Sequence, residues 1–339
     1  MATNRQFVLA QRPDGVPDDE DFDLVEGDVP EPGPREVLVR TRYLSVDPYM
    51  RDRMREGESY AEPWDVGDVL RGAVVGDVVE SNHPDYDEGD TVTGNLAWAD
   101  YAVADADNLV AVETGELRES VALGVLGMPG RTAYFGVTDV LDPDPGDTVV
   151  VSAAAGAVGS VVGQIAKLNG CRVVGIAGSD AKIEYITDEL GFDAGINYSD
   201  RNVAEALAEA APDGVDGYFD NVGGDITDAV FEHLNVRASV AVCGQIALYN
   251  EEDVTMGPRK LPTLVETRAS VEGFLVGDYA PRFEEASRRL AQWVQNGDIE
   301  FRETVADGLE NAPDAFVGLF EGENIGKQVV RVESEFDSS

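Results

Sequence analysis

Asp147-Thr-Val-Val-Val-Ser152 is a β-branched apolar stretch introduced by a Gly146-Asp147 turn. Small residues follow, Ala153-Ala-Ala-Gly156. After them Val158, Val161, Val162, Ile165 and Ala166 recur at the spacing of one helix face. A strand that passes through small residues straight into a helix constrains the fold more than any other feature of the chain. Gly156 carries no Cβ to hold a pyrophosphate away, and Gly159 lets the helix lie close on the strand. The first N–H groups of the helix and the positive end of its dipole suit an anion. Ala154 stands where the first glycine of G-x-G-x-x-G would be. Two readings follow: the first unit of a dinucleotide-binding domain, or a tight turn in another α/β protein.

The residues downstream favour the first. Strands are expected at 148–152, 171–177, 194–197, 215–219 and 239–243, and helices at 157–169, 180–191, 201–210 and 225–234. Alternation of this kind gives a parallel sheet covered by helices on both faces. Upstream the texture differs. Gln6–Leu9 reads as a short strand, and residues 13–35 as an acidic, proline-rich turn segment. Glu36–Ser45 alternates as a strand should, and 66–80 and 91–103 read as further strands punctuated by glycines. Glu119–Leu126 reads as helix, Gly127-Met-Pro-Gly130 as an interruption, and Thr132–Leu141 as helix resumed. Strands are expected at 271–276, 300–306 and 326–332, with a helix over 281–295. The expected fold class is α/β. A small barrel domain takes residues 1–125 and 299–339, with the cofactor domain, 126–298, inserted between.

Charge excludes several partners. Lys plus Arg is 25 against 66 Asp plus Glu, a formal net charge of −41. Nucleic acid and anionic membranes would repel such a chain. The acids are dispersed and only four lysines occur, Lys167, Lys182, Lys260 and Lys327. Dispersed acid with little lysine resembles proteins of salt-accumulating halophilic archaea, in which salt screens the self-repulsion. Two cysteines without a spacing pattern, Cys171 and Cys243, fit a reducing cytoplasm. No signal peptide or membrane-length apolar run is read from the sequence.

Several residues carry candidate chemistry. The second strand ends at Ala177-Gly178-Ser179, where an NAD site usually has an acid for the adenosine ribose. Ser179 and Lys182 point instead to a 2′-phosphate, and so to NADPH. Asp180 is also placed as a ribose acceptor for NAD, and Ser179 and Asp180 also suit a helix N-cap and first turn. Asn221, in Asp220-Asn-Val-Gly-Gly224, stands at a strand's carboxyl end, where such sheets bind ligands. It reads equally as part of a bare turn. A zinc site needs three or four ligands of the right type. The only Cys and His residues are Cys171, Cys243, His83 and His233, without metal spacing, so no resident metal is expected. His83 reads as a surface loop residue and His233 as a helix C-terminal one. An acid or electrophile is then sought among tyrosines. Tyr249, just past the 239–243 strand, could bond a substrate carbonyl and stabilise an enolate. Tyr49 could line the facing pocket, and ordinary packing is open to both.

The motifs taken together resemble the zinc-free branch of the medium-chain dehydrogenase/reductases. That branch holds leukotriene B4 12-hydroxydehydrogenase/prostaglandin reductase, alkenal double-bond reductases and curcumin reductase. The resemblance rests on Leu44-Ser-Val-Asp-Pro-Tyr-Met-Arg51, Gly127-Met-Pro-Gly-Arg-Thr-Ala-Tyr134, the 153–167 stretch, Gly170-Cys-Arg-Val-Val-Gly-Ile-Ala-Gly-Ser179, Asp220-Asn-Val-Gly-Gly224 and Gly322-Glu-Asn-Ile-Gly-Lys327. It implies a Rossmann-type doubly wound parallel sheet plus a GroES-like β-barrel, as a cytoplasmic homodimer. It implies NADPH contacts from Gly156, Ala157, Val158 and Gly159, from Lys182, Tyr198 and Asn221, and from Cys243 and Gly244 on to Tyr249. Further contacts are implied from Phe274, Leu275 and Val276, and from Asn324. Tyr49 and Met128 would line the substrate pocket, and Tyr249 would bond the substrate carbonyl. The implied reaction is NADPH-dependent reduction of the carbon-carbon double bond of an α,β-unsaturated aldehyde or ketone. Residues 251–265, part of the substrate pocket in relatives, depart from the family pattern. The alternatives are a zinc-free quinone oxidoreductase and a non-catalytic NADPH-binding sensor or structural protein.

Overall fold

The computed structural model describes residues 3–57, 59–251, 253 and 255–332. Two compact units share the chain. Among the described residues, one takes 3–123, 303–324 and 328–332, the other 124–302 and 325–327.

The first unit is built on antiparallel strands. β1 (Thr3–Leu9) pairs with β2 (Phe22–Asp28) from Thr3↔Asp28 to Leu9↔Phe22. β2 lies inside the stretch expected to be turn. Only Phe22 of it is buried, and its exposed acids mask the alternation that would mark a strand. β3 (Glu36–Ser45) pairs with β4 (Arg71–Ser81), which pairs with β5 (Thr91–Ala97). The short helix α1 (Met50–Arg53) precedes β4 in the chain. The strand expected over 91–103 is two strands, because the chain breaks at the fully buried Trp98. β6 (Tyr101–Asp105) then returns to β3, and β7 (Val110–Ala111) closes on β5. Residues 119–123 make a 3-10 turn, not a helix. His83 is not a surface residue: it is 8% exposed, and its Nδ1 accepts the Asp85 N–H at 3.2 Å.

The second unit opens with α2 (Met128–Phe135), which a wider π-type turn prolongs to Leu141. Pro129 sits in the first turn, where its missing N–H costs nothing, so Gly127-Met-Pro-Gly starts a helix and does not interrupt one. β8 (Thr148–Ser152), α3 (Gly159–Leu168), β9 (Arg172–Ala177), α4 (Asp180–Glu184) and β10 (Ala194–Asn197) form its first half. The second half is α5 (Val203–Ala210), β11 (Val215–Asp220), α6 (Gly224–Phe231), β12 (Leu234–Val242), α7 (Leu261–Thr267) and β13 (Ser270–Gly273). The helix expected to reach 234 stops at Phe231, which leaves His233 in the connection. The strand expected over 239–243 begins at Leu234. Its pairing jumps from Val215↔Leu234 to Gly217↔Ser239, a bulge that hides the period. The strand expected over 271–276 ends at Gly273, so Phe274 to Val276 follow it. α8 (Phe283–Asn296) completes the unit.

The sheet order is β10-β9-β8-β11-β12-β13, with every neighbouring pair parallel. The order reverses between β8 and β11, so the ligand crevice of a doubly wound sheet belongs at their carboxyl ends. The chain then returns to the first unit through β14 (Glu303–Asp307), α9 (Ala312–Glu321) and β15 (Lys327–Arg331). β15 pairs antiparallel with β3 through Val329↔Ser45 and Val330↔Leu44, giving the order β14-β15-β3-β4-β5-β7. α9 was not anticipated from the sequence. Its Phe316 meets Trp98 edge-on with centroids 6.1 Å apart, and burying that one ring contributes about 1.5–3 kcal/mol. The protein is α/β, a Rossmann-type parallel sheet unit with a GroES-like barrel unit. Among the described residues no helix is long and apolar enough to cross a membrane.

Candidate cofactor and active site

The turn between β8 and α3 is held by backbone alone. Ala153 takes φ +48°, and the Gly156 N–H donates to Ala153 O at 2.9 Å. A Cβ on Gly159 would lie 2.4 Å from Ala153 O and 2.9 Å from Ala154 Cα, so glycine is required there for close packing. A Cβ on Gly156 would meet only Ala153 O, at 3.2 Å. Its side toward a ligand is clear, as a phosphate cradle needs. Ala154 is fully buried, and its Cβ fills the space left by Gly175 on β9. α3 begins at Gly159 with no side-chain cap. Its first N–H groups, led by Ala157 and Val158, therefore suit the anionic part of a dinucleotide. On the other side of the turn, Gly326 N donates to Ala155 O at 2.7 Å, and Gly156 and Gly326 form a parallel bridge. Asn324 lies two residues before that bridge, in the first unit's share of the chain.

The tip of β9 gathers three candidates. Ser179 caps α4 by accepting the Lys182 N–H at 3.4 Å. Tyr198, 49% exposed, places its hydroxyl 2.6 Å from where a Gly178 Cβ would be, so only glycine lets that ring lie there. Burial holds the Lys182 ammonium below its ordinary pKa, an environment in which an anionic partner is favoured. Asp180 accepts the Asn197 amide at 2.8 Å, which turns this carboxylate toward β10.

At the switch point Ser152 ends β8 and Asp220 ends β11, both fully buried. Asp220 Oδ1 accepts from Tyr218 Oη at 2.9 Å, Val222 N at 3.0 Å, Gly223 N at 2.9 Å and Ser152 Oγ at 3.3 Å. Its Oδ2 accepts from Thr227 Oγ1 at 2.7 Å and Gln245 Nε2 at 2.8 Å. Burial, with the nearby Asp220 charge second, pushes the Tyr218 hydroxyl well above its ordinary pKa. Asn221 donates its N–H to Ser152 Oγ at 2.9 Å and its amide to Ser152 O at 2.8 Å. What Asn221 still offers a ligand is its side-chain carbonyl, an acceptor, and the second N–H of its amide. Gly223 stands at φ +75°, ψ −161°, a conformation confined to glycine. A Cβ there would strike Gln245 Oε1 at 2.2 Å. The glycines of Asn-Val-Gly-Gly thus make room for Gln245, which the sequence places only within the implied cofactor stretch 243–249, without its bond to Asp220. Ser152 and Asp220 were missed as site residues. The one available signal was a polar side chain at the carboxyl end of each of two parallel strands.

Cys243 and Gly244 follow β12, their N–H groups donating to Asp220 O at 2.8 and 3.2 Å. Tyr249 then folds back, and its hydroxyl accepts the Gln245 N–H at 3.4 Å. A Cβ on Gly244 would be 3.1 Å from that hydroxyl. Phe274 packs edge-on against Phe219, 6.0 Å between centroids, with Leu275 and Val276 leading into a 3-10 turn. Met128 is the first residue of α2. Ser152, Asp220, Asn221, Gln245 and Tyr249 are thus linked by hydrogen bonds, and Ser152 adjoins the glycine turn. Tyr49 belongs to the other unit, just before α1, where burial and the adjacent Asp47 push its hydroxyl up to about 12.

The order of this sheet, its glycine turn and the barrel joined to it define a class of nicotinamide-dependent oxidoreductases. The chain belongs to the medium-chain dehydrogenase/reductase family. Residues 5–112 match the family described as N-terminal domain of oxidoreductase, and 157–292 that described as zinc-binding dehydrogenase. The NADPH-dependent curcumin reductase of Escherichia coli is 49% identical over 334 residues, 97% of either chain. The NADP(+)-dependent 2-alkenal reductase of Nicotiana tabacum is 42% identical over 98% of either chain. The crystal structure of CurA in complex with NADPH from Vibrio vulnificus superposes with a TM-score of 0.93 at 45% identity, over 97% of this chain and 99% of that one. The relatives are thus NADP-dependent oxidoreductases of the curcumin and alkenal reductase type. Despite the zinc in one family description, no group of three or more His, Cys, Asp or Glu among the described residues could hold a metal ion.

Proposed function

We propose that the protein is an NADPH-dependent reductase of the carbon-carbon double bond of α,β-unsaturated aldehydes and ketones. One observation carries the reading. A tyrosine hydroxyl, held by the backbone N–H of Gln245, is linked through Gln245 and Asp220 to Ser152, from which the glycine turn starts, at the switch point of a parallel sheet. Bound NADPH supplies the reducing hydride, which goes to the β-carbon of the substrate. The glycine turn Gly156 to Gly159 holds the pyrophosphate. Ser179, Lys182 and Tyr198 take the 2′-phosphate. Asn221 accepts from the nicotinamide end, which Cys243, Gly244, Phe274, Leu275, Val276 and Asn324 enclose. Tyr249 donates its hydroxyl proton in a hydrogen bond to the substrate carbonyl and stabilises the charge that develops there as enolate. Solvent protonates the α-carbon. Tyr49 and Met128 line the substrate's side.

The surrounding expectations belong to the same proposal. The enzyme works without a metal, in a reducing cytoplasm where salt screens a net charge of −41. It works as a homodimer, for which β13 offers an edge whose four residues are all exposed. The test is NADPH oxidation with a panel of enones in molar KCl. Turnover with small enones is expected, and turnover with quinones alone would overturn the reading.

A further inference from the structure

Asp220 is a buried carboxylate, costly to desolvate, and capping α6 does not account for it. A serine or threonine would cap that helix without burying a charge. Its two oxygens divide the work. Oδ1 gathers four donors and closes the turn after β11. Oδ2 faces the helix hydroxyl of Thr227 and the side-chain amide of Gln245. Gln245 is fixed at its other end as well, because its own backbone N–H donates to the Tyr249 hydroxyl at 3.4 Å. Two glycines permit the stack: a Cβ on Gly223 would enter the Gln245 amide, and one on Gly244 would press the Tyr249 hydroxyl.

We infer that Asp220 is a positioning residue for Tyr249, acting through Gln245. The inference rests on the proposed role of Tyr249 and goes beyond it. The hydroxyl oxygen of Tyr249 accepts from Gln245, so its proton must point away from that N–H. Accepting a hydrogen bond also makes the hydroxyl a stronger donor. Asp220 sets where that N–H stands by holding the Gln245 side chain at 2.8 Å. In an Asp220→Asn protein one oxygen becomes an NH₂. If it replaces Oδ2 it confronts the Gln245 amide donor, and if it replaces Oδ1 it confronts two backbone N–H groups.

The experiment measures kcat with a small enone, NADPH affinity by fluorescence titration, and the thermal midpoint. The proteins are wild type, Tyr249→Phe, Asp220→Asn, Gln245→Met and each of the last two combined with Tyr249→Phe. Asp220→Asn and Gln245→Met are each expected to lower kcat about tenfold, within twofold of the wild-type NADPH affinity. Neither is expected to lower kcat further once Tyr249 is Phe. That non-additivity is what a positioning role gives and a merely structural one does not. Equal loss in both backgrounds, or loss of NADPH binding in step with kcat, would overturn the inference. If Asp220→Asn does not fold, Gln245→Met decides alone, since it leaves the carboxylate and its other five donors in place. Unchanged turnover in Tyr249→Phe would remove instead the proposed role of that tyrosine.

Discussion

The two halves of the parallel sheet prepare their carboxyl ends with different materials. Around β8, β9 and β10, the Ser152 hydroxyl and the Ser179 cap apart, the preparation is backbone and the absence of side chains: Gly156 and Gly159 at the turn, Gly178 under the Tyr198 ring. Around β11, β12 and β13 it is a buried carboxylate with six donors, tied to a glutamine 25 residues further along the chain. A phosphate is recognised by charge and by N–H groups that any helix start supplies. A reacting carbonyl needs one donor held in one place, and fixing a single hydroxyl takes a network.

Tyr249→Phe removes the proposed donor and is expected to lower kcat about 10²-fold with NADPH affinity unchanged, as steady-state kinetics with fluorescence titration would read. Next come two glycines, one from either half. Gly159→Ala sets a Cβ against backbone atoms that cannot turn aside, and should cost about 3 kcal/mol of stability in denaturant unfolding. Gly223→Ala should cost about 1–3 kcal/mol through its backbone conformation, and should also lose turnover as Gln245 is pushed away. Normal turnover in Gly223→Ala would erase the distinction between the halves. Lys182→Ala is a smaller change: about tenfold higher KM for NADPH with that for NADH unmoved. An equal rise for both would detach Lys182 from the 2′-phosphate.

The smallest effect concerns the two thiols, one in either half. Burial pushes Cys171 up to about 11 and Cys243 up to about 12 from an ordinary 9.0. Unfolded chains ionise these thiols first. The stability they contribute is therefore fully present below pH 9 and lost as the pH rises through 11 and 12. Slow labelling by iodoacetamide at pH 8 and a falling thermal midpoint above pH 9 are expected. Rapid labelling of the buried Cys171 at pH 8 would show its half of the sheet to be open.

The same contrast explains what could be read beforehand. The glycine turn, its strand and its helix are contiguous, so period and composition revealed them within some twenty residues. Lys182 stood out because lysine is scarce in this chain. Asp220, Ser152 and Gln245 are polar residues at strand ends or in a loop, and only the sheet order brings 152, 220 and 245 together. No local pattern encodes that meeting. β2 and the early start of β12 escaped for a related reason: an acidic surface and a bulge remove the alternation by which strands are recognised. His83 was misplaced because a polar residue before proline in an acidic turn reads as exposed, whereas the turn folds its ring inward.

The pairing of β15 with β3 sets a timetable for synthesis. By the time the ribosome has passed residue 105, β3 has β4 along it and β6 along residues 36–40. Tyr43 to Ser45 keep one open edge until Val329 to Arg331 emerge, almost the whole chain later. The six strands of the parallel sheet are all made within that interval. The inserted unit can therefore finish folding while the one that encloses it in sequence still waits for its last strand. An open, apolar strand edge left waiting so long is an invitation to mispair with a neighbouring nascent chain. Truncation before residue 327 would make that vulnerable stage permanent.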